Sequence, residues 1–220
     1  MVKPDNARHL VLAAACAALV GCSSVRPVPY SGIDSASYLK PNSQGDSQRV
    51  PYRYTTQAAW QTYKKLIIAP VAIYRGSDNQ FGDMREADKT ALADYMQAKF
   101  AEKLGDHFEL TSRAGSDTLR LKLTLTGAGT TTSVIGPFTH FDIGGNVFNG
   151  VQAIRGKEGA FSGYVIYSVE VYDASTNRLL DAYVTKQYPN AMNLGASFGS
   201  LSAAKTGIDK GADALVAQLK

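Results

Sequence analysis

The sequence contains few of the residues that most often bind metals. Among its 220 residues are two cysteines, Cys16 and Cys22, and three histidines. No pair of them has the Cys-x-x-Cys or His-x-x-x-His spacing that zinc sites commonly use. We therefore expect no metal site.

The chain also lacks long hydrophobic runs and clusters of basic residues. Its longest apolar run, residues 10–20, is about half of the ~20 residues that a membrane-spanning helix needs. The 23 basic and 19 acidic residues are spread along the chain and give a net charge of +4. Because nucleic-acid-binding proteins concentrate lysine and arginine on one face, we expect no nucleic-acid partner.

The start of the chain has the three parts of an export signal. Residues 1–21 combine a short charged start, the apolar run and the small residue Gly21 directly before Cys22. A cysteine at this position resembles a bacterial lipoprotein signal. The resemblance implies cleavage before Cys22, a covalent lipid on its thiol and acylation of the new amino terminus.

Such a lipid anchor would decide where the protein lies in the cell. Each buried methylene contributes ~0.8 kcal/mol, so several acyl chains hold a protein at the membrane permanently. An Asp directly after the lipidated cysteine tends to retain lipoproteins in the inner membrane. Here that position is Ser23, which favours the periplasmic face of the outer membrane, with the inner membrane as the alternative. Cys16 would leave with the signal, so we expect no disulfide and a domain stabilised by its apolar core.

Residues 22–54 have the composition of a tether. Proline recurs among Ser, Asn, Gln and Gly, with little apolar periodicity. One interpretation is a disordered spacer. The other is that the tyrosines dock the segment onto the domain or onto a partner; these are Tyr30, Tyr38, Tyr52 and Tyr54.

Residues 55–220 have the patterns of one α+β domain. A strand is predicted at residues 65–74, with Pro70 at an edge or bulge. Residues 119–126 alternate leucine with polar residues, which predicts one buried and one wet face. Residues 161–172 and 179–188 predict the two arms of a hairpin.

Two helices complete the predicted domain. The first is expected to begin at Asp83, with Glu86 completing a capping box, and to end at Gly105 in the left-handed conformation. The second covers residues 201–219. Its Gly207 and Gly211 cost helix stability and therefore indicate close approach of another element. The order of elements predicts a two-layer sandwich, with a mostly antiparallel or mixed sheet and both helices on one face.

Two features are candidates for an interaction surface. The Gly-rich apolar insert at residues 127–160 can form part of the core, contact another subunit or touch the bilayer; its exposed candidates are Phe138, Phe141 and Phe148. Five tyrosines lie on or beside the hairpin: Tyr164, Tyr167, Tyr172, Tyr183 and Tyr188. Tyrosine is enriched at interfaces, but it also suits strands.

Candidate reactive residues form no recognisable catalytic pattern. Ser197 lies between Gly195 and Gly199, as in a nucleophile elbow, yet no histidine follows it in the chain. An enzyme or small-ligand binder would draw on a polar pocket containing some of Asp78, Asp83, His140, Asp142 and Ser197.

Several stretches resemble a proteobacterial lipoprotein family catalogued only as a domain of unknown function. They are Tyr30-Ser31-Gly32, Tyr38-Leu39-Lys40-Pro41, the apolar strand at residues 66–71, the turn at 172–180 and the helix at 202–219. The resemblance covers nearly the whole mature chain. It implies a lipid-anchored periplasmic domain and supplies no catalytic residue.

We therefore expect a non-enzymatic envelope lipoprotein with a binding, scaffold or assembly role. The covalent lipid on Cys22 is the one non-protein group expected. The expected partners are the membrane, through that lipid, and a protein or other envelope component, with self-association as one form of it. The alternative is a small-ligand binder or hydrolase-like enzyme.

Overall fold

The computed structural model describes residues 25–130, 163–189 and 200–220. The helices are α1 (Glu86–Gly105) and α2 (Ser202–Gln218), and a 3-10 turn covers Trp60–Thr62. The strands are β1 (Lys40–Pro41), β2 (Tyr52–Thr55), β3 (Lys65–Ile68), β4 (Ala72–Ile73), β5 (Glu109–Leu110), β6 (Thr118–Gly129), β7 (Tyr164–Asp173) and β8 (Leu179–Gln187).

Within these described ranges the eight strands form one mixed sheet. Its order is β1-β2-β8-β7-β6-β3-β5, and β4 also pairs with β6. The central strands β6, β7 and β8 are antiparallel, whereas β3 and β4 run parallel to β6 and β5 runs parallel to β3. Both helices contribute to the apolar core on one face of this sheet. The predicted two-layer α+β fold is confirmed.

The core lies between the helices and one face of β6 and β7. Leu119, Leu121, Leu123 and Leu125 are completely buried, as their alternation predicts. Val165, Val169 and Val171 of β7 lie on the same side, and so do Leu92, Met96 and Phe100 of α1 and Ile208 and Leu215 of α2. Each fully buried side chain of this size contributes about 2 kcal/mol.

Pro70 divides the strand predicted at residues 65–74. β3 ends at Ile68 and β4 begins at Ala72, because proline has no N–H to donate to a strand ladder. The chain nevertheless stays beside β6, since the Ala69 N–H donates to the Leu121 carbonyl at 2.9 Å.

Both predicted ends of α1 are wrong in detail. The helix begins at Glu86 after Arg85, with no side-chain cap, so Asp83 and Glu86 form no capping box. The Glu86 carboxylate pairs instead with Lys89 and Arg75, at 2.7 and 2.5 Å. At the other end, Gly105 is helical and the following residue is also right-handed.

The face predicted to be wet is also covered. Thr124 and Thr126 of β6 and Ser168 and Glu170 of β7 point away from the helices, yet all four are buried. A segment from the amino-terminal part of the chain lies over them, and their own sequence pattern carries no sign of it.

The glycines of α2 allow it to approach the hairpin closely. A Cβ at Gly207 would lie 2.8 Å from the backbone oxygen of Gln187. A Cβ at Gly211 would overlap the Tyr167 hydroxyl. The predicted role of both glycines is confirmed.

We expect Gly211→Ala to lower the free energy of unfolding by about 1–3 kcal/mol, because the new methyl group overlaps the Tyr167 hydroxyl. Adding Tyr167→Phe should restore part of the loss, since the overlapping oxygen is removed. Gly207→Ala, which meets a backbone oxygen, should gain nothing from Tyr167→Phe. Urea unfolding of the variants measures these differences, and an equal loss from Gly211→Ala in both backgrounds would contradict the mechanism.

Candidate functional site

A segment that we call the strap, residues 25–39, runs along β7 on the face away from the helices. Tyr30 packs beside Ile166, the Ser35 N–H meets Glu170, and Leu39 packs beside Tyr172. The strap therefore follows β7 for nearly its whole length. Of the two interpretations of residues 22–54, the packing supports docking onto the domain.

Side chains of the domain bind the strap through its backbone. The Ser31 N–H donates to Asp78 Oδ2 and the Gly32 N–H to the Tyr74 hydroxyl, both at 3.0 Å. The amide of Gln80 donates to the Arg26 carbonyl at 2.8 Å. These bonds fix the position of the strap without requiring particular strap side chains.

Two apolar side chains attach the strap to the sheet. Tyr30 and Ile33 are buried against Tyr74, Ile166 and Val184. The Tyr30 and Tyr74 rings meet edge to face, with centroids 5.4 Å apart. Burial raises the pKa of Tyr30, so its hydroxyl stays protonated and donates to Gln80 Oε1 at 2.5 Å.

A buried carboxylate lies beneath the middle of the strap. Glu170 is completely buried, and its Oε1 accepts the Ser35 N–H at 2.6 Å. The Lys122 ammonium lies 3.8 Å from Glu170 Oε2 and also contacts Asp34 Oδ2 on the strap. Within the described residues, Glu170 Oε2 and the hydroxyls of Ser35 and Ser168 have no hydrogen-bond partner. The strap thus covers a polar strip of sheet, at some cost in desolvation.

An open groove of about 550 Å³ lies where the strap ends. It is lined by Asp34, Tyr38, Tyr54, Arg120, Lys122, Tyr172, Asn177, Arg178 and Leu179. A second depression of about 490 Å³ shares Tyr38 and Tyr54 and adds Lys40 and Arg53. The Tyr38 and Tyr54 rings are 5.2 Å apart, and Tyr38 is 48% exposed, so together they form a ridge between the two depressions.

The β7–β8 turn positions one end of the groove. Asp173 Oδ1 accepts hydrogen bonds from the backbone N–H and the hydroxyl of both Ser175 and Thr176. Asn177 then takes a left-handed conformation (φ 59°), which asparagine tolerates, and its side-chain oxygen accepts from Arg120. Arg120 also lies over the Tyr172 ring, 5.1 Å from its centroid.

The start of the strap and the groove lie at opposite ends of β7. Lys186 donates to the Val25 carbonyl at 3.0 Å and lies over the Tyr164 ring. The groove includes Lys122, which lies opposite Glu170, and Arg120, which lies opposite Tyr172. A strand rises ~3.3 Å per residue, so about 26 Å separates Tyr164 from Tyr172.

The five hairpin tyrosines do not form the predicted exposed surface. Tyr167 and Tyr183 are buried in the core beneath the helices, and Tyr172 and Tyr188 are also buried. Tyr164 is half-buried beneath Lys186. The other interpretation, that tyrosine suits strands, fits these positions, and Tyr172 also lines the groove. Cys22, Phe138, Phe141 and Phe148 lie outside the described residues.

The residues proposed for a polar catalytic pocket are not brought together in the part of the chain that is described. Asp78 holds the strap, and Asp83 precedes α1. His140, Asp142 and Ser197 lie outside the described ranges. Among residues 25–130, 163–189 and 200–220, no three His, Cys, Asp or Glu side chains gather as metal ligands. No helix in those same ranges is long and apolar enough to cross a membrane.

The sequence did not single out the groove. Arg120 and Lys122 have the pattern of a solvent-exposed strand face. Tyr38 and Tyr54 are predicted either to lie in a disordered spacer or to dock it onto the domain or a partner, with no docking position indicated. Their meeting depends on the strap and on the sheet register, which pairs Arg120 with Tyr172 and Tyr54 with Ala182.

Comparison with protein families identifies the class of this chain. Residues 29–215 match the family described as "Protein of unknown function (DUF3313)". The chain belongs to this family, and the matched region includes most of the strap. No curated protein matches the chain.

Solved structures show only distant similarity. A PelC dodecamer from Paraburkholderia phytofirmans is 12% identical, with 72% of this chain and 91% of that chain covered and a TM-score of 0.39. Protein XCC0632 from Xanthomonas campestris is also 12% identical, with 74% and 87% covered and a TM-score of 0.37. A putative neuraminyllactose-binding hemagglutinin homolog from Helicobacter pylori is 7% identical, with 74% and 84% covered and a TM-score of 0.31. Scores this low carry no functional inference to this chain.

We expect Tyr30→Ala to release the strap while leaving the sheet and helices folded. Removing this buried ring should cost about 3 kcal/mol. Proteinase K should then cleave within residues 25–39, with the helical circular dichroism signal retained. Tyr38→Ala, which truncates a half-exposed ring, serves as the control. A strap that stays uncut in Tyr30→Ala would show that its backbone hydrogen bonds alone hold it.

The Asp173 turn should make stability depend on acid pH. The Ser175 hydroxyl, helped by Thr176 and Tyr63 and opposed by burial, lowers the pKa of Asp173 far below its usual range. The ionised carboxylate therefore stabilises the fold at neutral pH, and this contribution is lost as the pH falls below ~4.

The Tm difference between wild type and Asp173→Asn should accordingly be largest at pH 7 and shrink towards pH 2–3. Thermal unfolding followed by circular dichroism measures it. Asp106→Asn, at an exposed position after α1, is the control. A difference that stays constant with pH would contradict the assignment.

Proposed function

We propose that this protein is a lipid-anchored envelope lipoprotein with a non-enzymatic binding role, facing the periplasm. The lipid is attached to Cys22, and the partner is an envelope component bound at the groove. The observation that carries the proposal is the placement of the strap. It begins within three residues of Cys22 and extends along β7 to the groove.

This arrangement separates attachment from binding. The few residues between Cys22 and Val25 reach roughly 10 Å when extended, so an anchored domain stays close to the bilayer. The groove lies about 20–26 Å farther along the sheet, at the end of β7 opposite to Val25. A site in that position is accessible to components that are not part of the anchoring membrane.

The insert at residues 127–160 leaves the sheet at the same end as the start of the strap. The described residues on either side of its central part, Gly129 and Tyr164, pair at the end of the sheet where Val25 lies. We keep Phe138, Phe141 and Phe148 in the proposal as candidate interaction residues.

The anchor is tested with two cysteine variants. Wild type and Cys16→Ala should fractionate with membranes, with mature amino termini at Cys22 that carry acyl chains detectable by intact mass. Cys22→Ala should lack the lipid and the membrane association. Membrane association of Cys22→Ala equal to that of wild type would refute the anchor.

The binding role is tested by photocrosslinking in living cells. A benzophenone amino acid at Ser37, an exposed position on the second depression, should give specific adducts. The same group at Glu102, exposed on α1 behind the opposite face of the sheet, should give none. Absence of adducts at Ser37, or the same adducts at both positions, would refute the role of the groove.

A further inference from the structure

We infer that the groove and the adjoining depression bind an acidic oligosaccharide, an inference that rests on the proposed binding role. The charged groups of the ligand meet the basic residues at the two ends, and its sugar rings lie against Tyr38 and Tyr54. The groove and the adjoining depression combine three properties that such a ligand matches: an excess of positive charge, exposed aromatic surface and an elongated shape.

The charge of the groove comes from two arginines. Within the described residues, neither Arg120 nor Arg178 forms a salt bridge. Arg120 bonds to the neutral side chain of Asn177, which leaves other guanidinium donors available. Lys122 faces both Asp34 and the buried Glu170, so one lysine charge is set against two carboxylates and the two arginines supply the positive excess of the groove. Two like charges on one groove favour an anion, and guanidinium groups bind carboxylates through two parallel hydrogen bonds.

The aromatic surface lies between the basic ends. The Tyr38–Tyr54 ridge separates the arginine side of the groove from Lys40, which is exposed. A simple inorganic anion would leave this ridge unused. A ligand that contacts both ends must be long, must carry several negative charges and must present flat, weakly polar faces to the rings. A chain of uronic acid units has these properties, because each pyranose ring carries one carboxylate and an apolar C–H face.

The phosphates of the anchoring membrane are an unsuitable source of the anion. The groove is about 20–26 Å from the end of the sheet at which Val25 lies. A ligand that reaches it must come from outside that membrane surface.

The test compares three ligands by isothermal titration calorimetry on the whole purified protein in detergent. Trigalacturonate carries three carboxylates on three rings. Its methyl ester has the rings without the charge, and N-acetylated, C-amidated triglutamate has the charge without the rings. We expect trigalacturonate to bind at least ~10-fold more tightly than either comparison ligand, the equivalent of one charge-assisted contact. Equal binding of the methyl ester, equal binding of triglutamate or no binding of trigalacturonate would overturn the inference.

Variants assign the binding to this groove. Arg178→Gln and Arg120→Gln should each weaken trigalacturonate binding about 10-fold. Asp34→Asn should strengthen it, because it removes the one exposed carboxylate of the groove. Tyr38→Ala should weaken trigalacturonate binding and leave triglutamate binding unchanged. Arg85→Gln removes the same charge at the start of α1, on the opposite face, and should have no effect.

The two proposals fail in different ways. Specific adducts at Ser37 together with an unaltered trigalacturonate affinity in both arginine variants would preserve the binding role and refute binding of the acidic ligand at this groove. Absence of adducts at Ser37 would refute the binding role itself.

Discussion

β7 has no face exposed to solvent, and the rest of the structure depends on this constraint. One face is covered by the helices and the other by the strap, while β6 and β8 satisfy its two edges. A strand in this position must present apolar residues on the helix side. On the strap side it carries Ile166 for the apolar contacts and Glu170 for the backbone of the strap. The helix spacing, the course of the strap and the position of the groove all follow from this double coverage.

Local sequence patterns predicted the packing on the helix side of the sheet well. The four leucines of β6 alternate with polar residues, and a period of two places all of them on the buried side. The apolar stripe of α2 likewise predicts which face of the helix is buried, and its two glycines predict the close approach of the hairpin. These patterns predict the packing correctly because the residues that determine it lie within a few positions of one another.

The coverage of β7 by the strap was not predictable from local patterns, because the contacting residues lie far apart in the sequence. Thr124 and Ser168 have the pattern of an exposed face, and only a distant segment buries them. The Ser35–Glu170 hydrogen bond joins residues separated by 135 positions. The groove is similar, because Tyr38, Tyr54, Arg120 and Arg178 come from four separate stretches of the chain. The predicted start of α1 is wrong for a local reason, because Lys89 and Arg75 compete for the Glu86 carboxylate.

The separation in sequence between the strap and β7 also has a consequence in time. Synthesis runs from the amino terminus, so Ser35 of the strap is made 135 residues before Glu170 of β7, the strand on which the strap docks. Contacts between distant segments form slowly, because a long loop must close before they gain anything. We therefore expect the strap to dock after β7 has paired with β6 and β8. Until the strap docks, the strap-side face of β7, with Ser168 and Glu170, stays open to water.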